Sequence, residues 1–437
     1  MPQRHELTAA EIDEFGRELD KIRAAVAASL GEADARYIRR VIAAQRALEA
    51  GGRAAMFASA LPPAWVAGTL MLAVAKILDN MEIGHNLLHG QWDWMADPAI
   101  NSTTWEWDAA SPAQQWRYAH NYRHHTFTNV LGKDRDIGFG ILRMSPDQRW
   151  LPIYLLQPLY NLGLAATFEW GIAIFDLEID LAINGEKSWR DTLTDAGVVV
   201  RKGARQVLKD FALFPLLAGP AFLPVLLGNA AANVIRNLWA HTIIFCGHFP
   251  DGVETFTPEQ AANESRGQWY RRQLLGSANI DGSPLFHLLS GNLSHQIEHH
   301  LFPDLPSNRY GEIAPQVRAL CERFDLPYNS GPLGRQTLEV WRRVLRLALP
   351  NPSPSARGAA EVPVPAEVPV PAEVPAPTPV RVPASVRVPA PRRARERVAA
   401  ALAAKTSRPG RGLTAPAPTA LGRLSGWAAL SYLRASP

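Results

Sequence analysis

Cysteine is scarce in this sequence. Two occur in 437 residues, Cys246 and Cys321, too few for a disulfide framework or a zinc motif. Charge imbalance is also small. Basic residues number 45 and acidic residues 41, a net charge of +4, so no electrostatic footprint for nucleic acid shows. Charged residues make up 20% of the chain, a little under the usual quarter of soluble domains. The stretch from Met1 to Gly16 is polar and acidic and lacks an apolar core before a cleavage site, so no secretory signal is expected. Two metal motifs are missing as well. There is no His-Glu-x-x-His, which excludes a zinc hydrolase of that kind. Glu-x-x-His occurs once, at Glu82-Ile83-Gly84-His85. Soluble di-iron bundles need two copies, so their site cannot be assembled here.

What is present is histidine in a pattern. Eight of the 12 histidines fall in three boxes: His85 and His89; His120, His124 and His125; His295, His299 and His300. On a helix, residues i and i+4 lie nearly one above the other, and i+5 is one step round. Each box therefore projects two or three imidazoles from roughly one side. Converging, they supply eight nitrogen ligands, enough for two metal ions and too many for one. Neutral imidazole suits iron, zinc and copper alike, so ligand type alone leaves the metal open. Glu82, Asp134, Asp136 and Glu298 are candidates to orient the rings through their other nitrogens.

In chain order, residues 1–53 read as an amphipathic helical region. Ile12, Phe15, Leu19, Ile22 and Val26 recur at helical spacing, Thr8 and Glu11 form a capping box, and the helix is expected to run from Leu7 to Leu48. Residues 54–349 form the main domain. Ala54 to Ile77 is apolar and about long enough to cross a bilayer, which takes roughly 20 residues. The first box then sits at the polar end of that span, because charge at mid-bilayer is costly. Trp92, Trp94, Trp105, Trp107 and Trp116 follow. The favoured reading is a belt at the membrane interface; the other is the wall of an apolar channel. Trp150 to Ile183 is apolar but broken by prolines and acids. Phe211 to Gly228 and Ala230 to Phe249 read as a helical hairpin turning at Gly228-Asn229. Its second member carries Asn237, His241 and His248, and an intramembrane histidine is a functional candidate by default. His241 is the favoured ninth ligand and His248 the lesser one. Residues 350–437 are rich in proline, alanine and valine, then basic, a composition expected to be disordered.

Two clustered redox metals can activate dioxygen, a chemistry used on unactivated C–H bonds. The motifs His85-x-x-x-His89, His120-x-x-x-His124-His125 and His295-Gln296-Ile297-Glu298-His299-His300-Leu301-Phe302-Pro303 resemble those of the membrane fatty acid desaturases of the histidine-box superfamily, across roughly 54–328. The resemblance implies a non-haem di-iron centre, dioxygen as oxidant and boxes on the cytoplasmic side of a cell membrane. In related acyl-CoA desaturases a later membrane helix adds a histidine, with an asparagine one turn earlier reaching the other iron through water; Asn237 and His241 match that pair. The third box is similar to that of the front-end desaturases, where glutamine takes first place, and this leans toward insertion near the carboxyl end. His295 precedes it, stands four residues before His299, and is favoured over Gln296 to face the metal. No His-Pro-Gly-Gly segment of a fused cytochrome b5 domain occurs. Electrons are therefore expected from a separate ferredoxin, rubredoxin or cytochrome b5-type donor and its NAD(P)H reductase.

The expectation is an all-α, multi-pass transmembrane bundle with a cytoplasmic histidine-box cap. Two irons are held by His85, His89, His120, His124, His125, His241, His295, His299 and His300, with Asn237 alongside. The substrate is a fatty acyl-CoA or acyl-lipid taken from membrane lipid. The alternatives are a hydroxylase or ketolase on the same scaffold, and a metal-binding membrane protein without catalysis.

Overall fold

The structure, a computed structural model, describes residues 7–351. Apart from Pro350 and Asn351, the tail from 350 onward lies outside the described residues, as do Met1 to Glu6. The described chain is mostly helical. Helix α1 (Ala9–Ala28) starts on the expected capping box: Thr8 Oγ1 accepts from Glu11 N at 3.3 Å and Glu11 Oε2 accepts from Thr8 N at 2.7 Å. The single helix expected to Leu48 is two helices. The chain breaks at Ser29–Gly31, and α2 (Glu32–Phe57) restarts with Asp34 Oδ2 accepting from Gly31 N at 3.0 Å. Helix α2 then runs against α3 (Pro62–Ile77) at close approach. A Cβ on Gly52 would lie 3.2 Å from the Gly68 carbonyl oxygen, and one on Gly68 would lie 3.1 Å from that of Gly52. Only glycine lets two backbones meet so closely.

No helix among the described residues is long and apolar enough to cross a membrane, so the expected spans are not found as single apolar helices. Helix α3 has 16 residues and passes directly into a π-helical turn, Leu78–His85. The stretch after Trp150 breaks into a short 3-10 turn, α4 (Gln157–Ala166) and α5 (Phe168–Phe175). After α6 (Trp189–Val207), the expected hairpin is a single helix, α7 (Phe222–His248), with its break upstream at Gly219, φ 55°. Gly228 and Asn229 are not a turn because both are packed mid-helix. A Cβ on Gly228 would meet Met56 and Thr69, and Asn229 Oδ1 accepts from Arg53 Nη1 at 2.8 Å. Helix α7 has the length to span but carries Asn229, Asn233, Arg236, Asn237, His241 and His248, all buried.

Those polar residues serve an internal charge network. Asp210 meets Arg53 at 2.6 Å and Lys76 at 2.8 Å; Asp108 meets Lys76 at 3.2 Å and Lys209 at 2.7 Å; Arg236 pairs with Glu169. Pairing is what makes buried charge tolerable, and here it ties α2, α3 and α7 together. The remaining elements build a cap. In chain order these are α8 (Arg266–Leu275), β1 (Asn279–Asp281), α9 (Gln296–Leu301), α10 (Tyr310–Arg323), β2 (Ser330–Pro332), which pairs in parallel with β1, and α11 (Leu333–Ala348). Phe15 and Leu19 of α1 pack with Tyr270 of α8, Ile297 and Leu301 of α9, and Ile313 of α10 in one core. The N-terminal helix thus clamps the third box from outside.

Candidate metal centre

Local backbone shape sets the imidazoles. His85 ends one π-helical turn and His120 and His124 lie in another, Tyr118–His124. Such wide turns are rare and concentrate at functional sites. His299 and His300 of the third box ride on α9, one short helix ending before Pro303.

Three ligand groups result. His85, His89, His120 and His299 each place a ring nitrogen within 4.8 Å of the others; so do His124, His125 and His300; His120 and His124 form an overlapping group with Asp136. The two sets adjoin, with ring centroids 4.6 Å apart for His89 and His125 and 4.9 Å for His120 and His125. His85 Nε2 and His299 Nε2 are 3.2 Å apart.

The rings are held from behind. His124 Nδ1 lies 3.1 Å from both carboxylate oxygens of Asp134, His300 Nδ1 lies 3.0 Å from Gln273 Oε1, and His299 Nδ1 lies 3.3 Å from Tyr310 Oη. That leaves the far nitrogens facing one another. The Nε2 atoms of His89, His120, His124, His125 and His300 are buried with no hydrogen-bond partner. Buried polar atoms normally have one, so five orphans in one place fit a bound metal. Burial, then neighbouring imidazoles, pushes His120, His125, His299 and His300 well below the ordinary histidine value. They stand neutral, the form that ligates. For His124 burial pulls the same way, but Asp134 and Asp136 outweigh it and raise the ring to about 9.

Four expectations change. His295 is outside the groups. It has φ −99° and ψ 55° at the end of a 3-10 turn, just before α9, so it does not sit one helical turn above His299. It stacks on His287 instead, at 4.5 Å. Gln296 is the residue that faces inward, its Nε2 2.9 Å from His248 Nε2. His241 is also outside: Nε2 lies 3.1 Å from Asn161 Oδ1 and the ring stacks on Phe245 at 3.9 Å. Asn237 fastens α7 to the α4–α5 turn, accepting from Glu169 N at 3.3 Å and donating to the Ala166 carbonyl at 3.0 Å. The α7 histidine beside the cluster is His248, its ring 4.8 Å from those of His124 and His300. It is seven residues past His241, the same face two turns on, at the end of α7. The sequence signal existed; which of the two reached the boxes depended on where the helix ended.

The tryptophans also differ from the belt expected. Trp92, Trp107 and Trp116 are buried. Trp116 stacks on His120 at 4.4 Å and meets His85 edge-on at 5.0 Å, so it walls the centre. Among the carboxylates, Asp134 and Asp136 face box rings, while Glu82 and Glu298 hold frames. Glu82 accepts from Tyr37 Oη, Asn292 Nδ2 and Ser307 Oγ at 2.9, 2.9 and 2.6 Å. Glu298 accepts from Asn279 Nδ2 at 2.8 Å and Tyr328 Oη at 2.9 Å, and burial pushes its carboxyl up to about 7.

A helical frame converging eight imidazoles, with orienting carboxylates behind them and ring nitrogens turned inward, is a histidine-box site of a kind that could hold metal. The fatty acid desaturase family model matches residues 60–332, and the chain belongs to that family. It is 50% identical over 349 residues to the NADPH-dependent stearoyl-CoA 9-desaturase of Mycobacterium tuberculosis (strain CDC 1551 / Oshkosh), spanning 79% of this chain and 82% of that one. It is 29% identical over 289 residues to the sn-1 linoleoyl-lipid 6-desaturase of Synechocystis sp., over 63% of this chain and 78% of the relative. With fatty acid desaturase 3 of Bos taurus it shares 25% over 299 residues, 64% and 62% of the two chains. The protein is an oxidoreductase that introduces double bonds into fatty acyl chains.

Proposed function

We propose that this desaturase acts on a fatty acyl-CoA, with stearoyl-CoA and its carbon 9 as the reference substrate and position. The relative at 50% identity supports this over the front-end position that Gln296 suggested. The balanced reaction takes an acyl chain, O2, NADPH and a proton to the alkene, NADP⁺ and two waters. Two irons, when bound, would activate the dioxygen that is the oxidant for C–H cleavage. His85, His89, His120 and His299 would hold one; His124, His125, His300 and His248 would hold the other. His248 takes the place expected of His241, and Gln296 the inward place expected of His295. Asp134 keeps His124 aimed inward, Gln273 does so for His300, and Tyr310 for His299. Trp116 keeps water from the first group. Electrons come from a separate carrier protein with an NADPH reductase, as the relative's dependence on NADPH suggests.

The observation that carries the metal reading is the set of five orphaned Nε2 atoms facing one another. The chain works at a cell membrane, with the boxes toward the cytoplasm. Supporting that, Leu61 and Leu70 of the α3 region, Leu159 and Leu162 of α4, and Leu216, Leu217 and Leu223 before and in α7 are all exposed. An exposed apolar surface that extensive marks a lipid or partner contact. The test is the fatty acid profile of a host expressing the chain with a matched carrier and reductase, against His299→Ala. A new alkene, absent in the variant, supports the reading, and its position tests carbon 9. A hydroxylated product would move the protein to the hydroxylase branch.

A further inference from the structure

Helix α11 has two faces. Gln336, Val340, Val344 and Leu347 are buried. Gln336 Nε2 donates to the Asn279 carbonyl at 2.7 Å, and Val340 and Val344 pack in one core with Ile243 and Ile280. Asn279 Oδ1 in turn accepts from Ile297 N at 2.8 Å, so this face is fastened to the third box. The outer face is apolar. Leu338 is 73% exposed, Leu345 56%, and Leu349, just past the helix end, 58%. Spacings of seven and four residues bring all three to one side at 3.6 residues per turn. Arg335, Arg342 and Arg346 repeat those spacings three residues earlier, so an arginine row runs beside the leucine row. Arg335 pairs with Glu339 and Arg342 with Asp251, yet both arginine side chains stay exposed, as does Arg346. The helix holds four arginines and one acid, Glu339.

We propose that α11 lies in the plane of the membrane surface and grips anionic lipid: its leucines enter the acyl boundary and its arginines meet headgroup phosphates. This rests on the membrane reading above and adds to it an electrostatic contact. A helix with a leucine stripe flanked by arginines suits that interface. Two observations favour lipid over a protein partner. The first is charge, since a row of cations beside an apolar stripe complements the negative surface of an anionic leaflet. The second is continuity. Trp150 Nε1 donates to the Ala348 carbonyl at 2.9 Å and Gln157 Nε2 to that of Val344 at 2.6 Å. Between them Leu151, Ile153 and Leu156 are exposed, beside the end of α11. Three leucines alone fall well short of the roughly 1,200 Å² that a stable protein interface buries. A bilayer spreads under the whole surface.

The experiment uses the full chain, reconstituted in vesicles of phosphatidylcholine mixed with an equal part of phosphatidylglycerol, and in phosphatidylcholine alone. Leu345→Cys carries a fluorophore, both native cysteines being buried. Its quenching by lipids with a nitroxide high on the acyl chain is read. Leu159→Cys on α4 is the reference and should be quenched in both kinds of vesicle. No quenching there would refute the membrane reading and this proposal with it. The Leu345 probe should be quenched in the mixed vesicles and far less without phosphatidylglycerol. Near an anionic surface each arginine is worth about fivefold in partitioning. Arg346→Gln should therefore lower the probe's partitioning about fivefold, Arg346→Lys should leave it unchanged, and high salt should weaken it. Quenching at Leu159 but not at Leu345 would overturn the assignment of α11 alone. Equal quenching at Leu345 in both kinds of vesicle would do the same. A Leu345 probe reached by the nitroxides only after the protein is diluted in lipid would place a second copy on the stripe, which also overturns the proposal.

Discussion

Replacing Asp134 by asparagine removes one charge and one acceptor from behind the second ligand group. The buried carboxylate has three donors. Oδ1 takes Asp136 N at 2.9 Å, Oδ2 takes Asn129 N at 2.7 Å, and both oxygens lie 3.1 Å from His124 Nδ1. An asparagine keeps one oxygen and points an NH2 at what was the other partner. One buried N–H is then left unpaired, costing about 1–3 kcal/mol of stability. The His124 ring also loses its anionic partner. Loss of such a partner behind a metal-binding histidine typically costs about 10- to 100-fold in metal affinity, or about 1.4–2.8 kcal/mol. The assay is a competitive chelator titration of purified, iron-loaded protein, with iron content and thermal unfolding followed together. Asp134→Asn should release iron at roughly ten- to hundredfold lower chelator than wild type, the second iron leaving first. The exposed carboxylate Asp325 serves as control, and Asp325→Asn should leave the titration unchanged. If Asp134→Asn holds both irons at the wild-type chelator concentration, with unchanged product yield, the account of His124 is refuted.

Three other predictions follow from the same geometry. His248→Ala should drop iron content from two per chain toward one and abolish product, whereas His241→Ala should keep both irons; metal analysis of the two purified variants decides between these histidines. Chelation of the wild-type protein should lower its melting temperature, because binding to the folded state alone stabilises by about 4 kcal/mol at a thousandfold excess over Kd, and calorimetry with and without chelator checks it. Asp210→Asn weakens a network that holds Lys76 and Arg53, both buried. It should destabilise by about 3–5 kcal/mol in denaturant unfolding, with little effect on iron bound per folded chain.

The boxes were legible in the sequence because helical spacing is local. Two imidazoles four residues apart share a face on any helix, and this brought out seven histidines that the structure gathers into ligand groups: His85, His89, His120, His124, His125, His299 and His300. His295 was misplaced because the same spacing rule assumed a helix already under way, and the chain enters α9 only at Gln296. His241 and Asn237 were matched by pattern, but the pattern does not say where along α7 the boxes lie. Charge at the end of the Ala54–Ile77 run, from Lys76 on, reads as the polar end of a span. The structure pairs Lys76, Arg53 and Arg236 with Asp210, Asp108 and Glu169 in the interior, and pairs drawn from such distant segments leave no local trace.

The sequence by itself therefore determined the chemistry: how many imidazoles there are, that they come in three local sets, and that they suit a pair of metals in a fatty acid desaturase. Only the tertiary structure decided what lies beside the boxes at the margin: His248 rather than His241 next to His124 and His300, Gln296 rather than His295 turned toward His248, and Trp92, Trp107 and Trp116 buried rather than in a belt. The physical reason is one of range. Spacing within a helix turn is set by backbone geometry over a few residues. Which face meets which depends on helix ends, backbone turns such as the one at Gly219, and long-range pairing, none of which a short window of sequence contains.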